Sequence, residues 1–132
     1  MNQPAHEKPL EEIVDELGVY PSEAYHFIQE GLSFAVGKIH GEETDARVNR
    51  HISGQQLCQA LREFALMKWG LLAGTVLRHW QITSTVDFGR IVFALVESGR
   101  LSKTDEDTLD DFRNVYDFRS AFEINYRIES KT

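Results

Sequence analysis

Five histidines (His6, His26, His40, His51 and His79) share this chain with one cysteine, Cys58, and a group of acids, Glu42, Glu43 and Asp45. These are metal-ligating residue types. Zinc needs three or four of them, usually supplied as short pairs such as CxxC or HxxxH. No histidine here makes such a pair with another or with Cys58. His40, Asp45 and His51 flank one loop and are the candidates to converge on a metal or ligand. The spacing assigns no metal ligand and no cofactor.

The run from Asp105 to Asp111 holds five acids in seven residues. A calcium loop of the EF-hand type needs oxygen ligands at positions 1, 3, 5 and 12 and glycine at 6. Counted from Asp105, positions 5, 6 and 12 are Leu109, Asp110 and Tyr116, so the pattern fails. A helix start accounts for the same residues better. Thr104 caps, Asp107 stands three residues on, and the acids favour the positive end of the helix dipole. A docking surface for a basic partner is the alternative use of the run.

Nucleophilic chemistry finds no local signature. No serine lies in a GxSxG elbow, and no GxxxxGK[ST] or GxGxxG phosphate cradle is present. Cys58 sits in the apolar run LCQAL and reads as a small buried hydrophobe. Trp69 and Trp80 share a helical face if the helix continues through Gly70, as core or as a pocket lining. Arg47 and Arg50, with His51, Lys68, Arg78 and His79, form a basic group that could hold an anion. It lacks the spaced aromatics of a nucleic-acid platform. These signals lean away from catalysis without naming an activity.

The elements that must position these residues are helical. Leu10, Ile13, Val14 and Leu17 follow the i, i+3, i+4, i+7 spacing, and Gly18 sits where a helix stops. A second helix opens at Pro21-Ser22 and ends at His40-Gly41. Gly31 and Gly37 inside it cost propensity and imply close packing of another element. Residues 41–52 form the least helical stretch. Ser53 with Gln56, and Ser84 with Asp87, have the spacing of capping boxes for two further helices. Between them, Trp69, Leu72, Ala73, Val76 and Trp80 keep helical spacing, giving a fourth helix with an inward stripe.

The segment from Phe88 to Val96 is apolar nearly all round and reads as a central, buried helix. Gly99 suits its C′ position, with Leu101 packing back. A sixth helix is expected from about Asp105 into RNVYDF. Beyond it Phe122, Ile124, Tyr126 and Ile128 alternate, which reads as an extended tail over 122–132. A lone strand needs a partner for its backbone, so these four residues are candidate interface positions.

At 132 residues, 42% hydrophobic and 27% charged, the chain fits one globular domain, 1–132, with an acidic N-terminal helix over 1–20. Its net charge of −7 is uneven. Residues 1–45 carry ten acids and two lysines, whereas residues 46–80 carry five cations against Glu63. An acidic protein is a poor general nucleic-acid binder, because phosphate contacts dominate that affinity. The basic middle is expected to face the acidic ends. One cysteine, no secretory leader and no long apolar run point to a soluble, cytoplasmic protein with no membrane partner.

At FALMKWGLLAGTVLRHWQI and at DFGRIVFALVESGRLSKTDEDTLDDFRNVYDF the sequence resembles an uncharacterised family of small proteins found mainly in Planctomycetes and Verrucomicrobia. The resemblance covers roughly residues 22–122. It implies a stand-alone bacterial protein and brings no activity, cofactor or site residue. The expected architecture is therefore mainly α: a compact bundle of about six helices with a small two-stranded β element involving the tail. The expected role is a non-catalytic interaction module, with a second copy or another protein as partner. The rivals are an enzyme using the 40–51 loop and nucleic-acid binding through residues 47–80.

Overall fold

The computed structural model describes residues 9–41, 51–104 and 107–122. Among them are five α-helices: α1 (Leu10–Leu17), α2 (Ser22–His40), α3 (Gly54–Trp69), α4 (Ala73–His79) and α5 (Thr85–Glu97). Short 3-10 turns occupy Gly70–Leu72 and Leu109–Phe112, and residues 118–122 form one helical turn. No strand occurs among the described residues. No helix there is long and apolar enough to cross a membrane.

The punctuation follows from local chemistry. Gly18 takes a left-handed φ of 70° and returns its N–H to Val14, closing α1. Ser53 and Gln56 exchange side-chain and backbone hydrogen bonds at the start of α3, and Ser84 and Asp87 do so at α5. After α5, Gly99 at φ 86° sends its N–H to Val96, and Arg100 sends its own to Leu95. That is a Schellman closure, with Leu101 packed against the core behind it.

One hydrophobic core runs through the bundle. α2 and α3 share the largest interface, and α5 packs on α1, α2 and α3. Gly31 explains the α2–α3 approach, since a Cβ there would meet Leu61 at 2.2 Å. Gly37 has nothing within 4 Å, contrary to the close packing expected of it. Trp69 and Trp80 meet edge-on at 5.4 Å, and Phe27 lies 5.1 and 5.9 Å from them. The tryptophans are thus part of an aromatic core cluster.

Two elements differ from the sequence expectation. The sixth helix is only the 3-10 turn Leu109–Phe112. Phe112 is drawn into a slot floored by glycine: a Cβ on Gly54 or Gly89 would come within 3.0 Å of its side chain. The Thr85 hydroxyl then donates to the Phe112 carbonyl at 2.6 Å and accepts from Val115 N–H at 3.2 Å. Pinned there, the backbone turns out of helix at Arg113 (ψ 132°) and Asn114 (φ 50°).

The tail differs at its first residue. Phe122 is helical and 3% exposed, packed on Phe118 at 5.0 Å and Tyr116 at 6.1 Å. Asp117 caps this turn through Ser120 N–H, and those hydrogen bonds hold its carboxyl below the usual carboxylate range. Ile124, Tyr126 and Ile128 lie outside the described residues, as does most of the β element expected with them.

Candidate functional site

The loop histidines come close at the C-terminal end of α2. His40, the last residue of that helix, donates from Nε2 to the His51 carbonyl at 3.0 Å. A carbonyl only accepts, so Nε2 of His40 carries a proton. The His51 ring turns the other way and places Nε2 3.0 Å from Asp107 Oδ1. The second oxygen of Asp107 accepts from Thr104 N–H at 2.9 Å. His40 and His51 are therefore neighbours through backbone, and Asp107 is a partner that sequence spacing did not single out. Asp45, the third expected member, lies outside the described residues.

Beside this pair is a narrow cleft between α2, α3 and α5. Leu32, Leu57, Val92 and Phe112 form its wall, and Ser53, Lys103, Asp107 and Asp111 its rim. Its cavity volume is about 20 Å³, room for one water. A histidine oriented by a carboxylate is suited to proton transfer. The nearest hydroxyl on the rim, Ser53 Oγ, is already committed to Gln56 N–H at 3.1 Å. Cys58 is buried, and burial pushes its thiol up to about 12, which keeps it protonated. Among the described residues no three of His, Cys, Asp and Glu are placed to hold a metal ion.

The basic group is partly spent inside the protein. Lys68 lies 3.6 Å from Glu30 and over the Phe64 and Trp69 rings. His51 faces Asp107. Arg47 and Arg50 lie outside the described residues.

A second feature sits at the corner where α3 ends. Gly70, at φ 53°, donates its N–H to the Leu66 carbonyl, which closes α3, and then bends the chain into Gly70–Leu72. The bend resets the helical phase. Leu72, expected on the inward stripe, is instead 63% exposed, with Leu71 at 45% and Met67 at 71%. Three large apolar side chains within six residues thus face solvent, at a corner where Trp69 packs on Phe27 and Trp80. Only Met67, off the Leu57–Leu61–Phe64 face of α3, signals this in the sequence.

A second group of polar side chains gathers at buried Asp87. Asp87 accepts from the Tyr20 hydroxyl, from Thr83 N–H at 2.9 Å and from Ser84 N–H at 3.1 Å, with Arg90 3.5 Å away. Burial and the Asp87 carboxylate push the Tyr20 phenol above its ordinary value. No family model matches the chain, and neither a curated protein nor a solved structure matches it.

Proposed function

We propose that this protein is a non-catalytic interaction module and that the Met67–Leu71–Leu72 corner is its docking surface, with a second copy of the chain as partner. The observation that carries the reading is the exposure of those three large apolar residues within six positions of the chain. Clustered exposed apolar side chains mark interaction surfaces, whereas scattered ones carry no such meaning. A patch related to itself by a two-fold axis is self-complementary, so one cluster serves both copies. Three side chains fall well short of the ~800 Å² per partner of a standard interface, so the association is weak and reversible. The alternation of Ile124, Tyr126 and Ile128 supports an extended arm beside the helical bundle. On the block from Asp87 to Phe118, we also infer a bacterial cytoplasmic protein of the small family it resembles.

Methyl resonances provide the test. Raising the protein concentration to roughly 1 mM, the range where weak association becomes populated, should shift the signals of Met67, Leu71 and Leu72 before any others. Shifts absent there, or centred on another face, would remove the reading.

The second reading is a ligand- or metal-dependent enzyme built on the 40–51 loop. Its support is the placement of His51 against Asp107 at the cleft rim. A melting temperature raised by zinc or manganese in the native chain, and not in His51→Ala, would favour it. An unchanged melting temperature in both would count against it.

A further inference from the structure

Where α1 hands over to α2, the chain faces the end of α4 across an open cleft. Its volume is about 520 Å³, within the ~300–1,000 Å³ of small-molecule sites. The α1–α2 side supplies Asp15, Val19, Tyr20 and Glu23, and the α4 side supplies Trp80 and Gln81.

Both sides are held in place. Gly18 closes α1 in the left-handed region, and Tyr20 beyond it is buried, with its hydroxyl on Asp87. Trp80 packs on Phe27 and Trp69 and is only partly buried, so it also borders the cleft. Gln81 ends α4 at φ 68°, sending its N–H to the Arg78 carbonyl, while Ile82 sends its own to Leu77. That is a Schellman closure whose left-handed place usually goes to glycine. Side chains kept in such a conformation at a cost cluster at binding sites, and this one lines the cleft.

The chemistry of the walls selects a ligand. Val19 is 50% exposed and adds apolar surface to that of the indole. Asp15 and Glu23 bring two carboxylates, and neither is paired with a lysine or arginine among the described residues. The backbone N–H of Glu23 and the Ser22 hydroxyl hold the Glu23 carboxyl below the usual carboxylate range, with His26 and His79 adding to the effect. An anion would be repelled here. No three metal-ligating groups converge among the described residues, and a bare ammonium would lose its strong hydration against apolar walls. An ammonium wrapped in alkyl groups suits both surfaces: aromatic faces attract such cations, and the carboxylates balance the charge.

We propose that this cleft binds a small organic cation, a substituted ammonium held between Trp80 and the carboxylates of Asp15 and Glu23. The site stands apart from the docking corner and does not depend on it.

Choline is the probe, titrated into the full chain at constant ionic strength and followed through the backbone amide and indole N–H resonances. Binding should saturate with a Kd on the order of millimolar, moving the Gly18, Val19 and Trp80 indole signals first. Asp15→Asn/Glu23→Gln changes only exposed side chains, and should bind about 3- to 10-fold more weakly with an unchanged helical spectrum. The neutral isostere of choline, with carbon in place of nitrogen, should bind more weakly still. Equal affinity for choline and its isostere would overturn the proposal, because the cleft would then be reading apolar surface alone. An unchanged affinity in the double variant, or shifts centred on another face, would overturn it as well. So would the same shifts produced by magnesium chloride, which would mark an unselective acidic surface.

Discussion

Asp87 shows how one residue was partly legible before the fold was known. Its spacing from Ser84 announces a capping box, which the structure contains. Nothing local announces that Tyr20, 67 residues away, brings a buried hydroxyl to the same carboxylate. Replacing Asp87 by Ala would strand that hydroxyl and the Thr83 and Ser84 N–H groups. Buried donors without acceptors cost about 1–3 kcal/mol each when fully desolvated, so we expect a loss of ~2–4 kcal/mol in chemical denaturation. Tyr20→Phe, which removes a donor and leaves Asp87 with its backbone partners, should cost less. A loss under ~0.5 kcal/mol for Asp87→Ala would show that water replaces the carboxylate there. The same distance argument applies to His51, whose partner Asp107 has by spacing only the place three residues after the cap Thr104, in a helix that does not form.

Helices were read well where the signal is local and poorly where a neighbour decides. Gly18, Ser53 with Gln56 and Gly99 each act within one turn of chain, and the structure places their stops and starts as spacing implied. The stripe through Leu72 failed because Gly70 interrupts the helix, and no periodicity survives a reset of phase. The helix after Asp105 failed because Phe112 finds a slot between α3 and α5 that only tertiary packing creates. Two glycine substitutions separate these causes. At Gly89 a new methyl would meet Phe112 and Leu109 at 2.7–2.8 Å, so overpacking of ~1–3 kcal/mol outweighs a propensity gain of ~1 kcal/mol. At Gly37 the space is open, and Ala should stabilise by up to ~1 kcal/mol. Paired melts of Gly89→Ala and Gly37→Ala should move in opposite directions. A shift of the same sign in both would contradict the slot.

For the molecule as a whole, the chemistry is that of a bundle closed by buried neutral acids. Burial raises the Cys58 thiol to about 12 and pushes the Tyr20, Tyr25 and Tyr116 phenols above their ordinary values. Tyr116 donates to the Cys58 carbonyl at 2.8 Å, and Tyr25 OH has no partner among the described residues. A raised pKa means the fold favours the protonated form. The stabilisation is whole below the unfolded values of ~9–10 and is lost as pH rises through the folded ones. Melting temperature should therefore hold to about pH 9 and fall above it, as seen by circular dichroism. A flat profile to about pH 11 would mean the phenols are solvated in the native state.

The proposed docking corner includes Leu72, which is 63% exposed and so replaceable without emptying the core. Sedimentation equilibrium of the native chain and of Leu72→Asp, from roughly 10 µM to 1 mM, compares them over the range of weak association. We expect the native chain to populate a dimer at the upper end, and Leu72→Asp to need about tenfold more protein or to stay monomeric with an unchanged helical spectrum. Identical masses for both proteins at every concentration would contradict the assignment of this corner as an interface between copies.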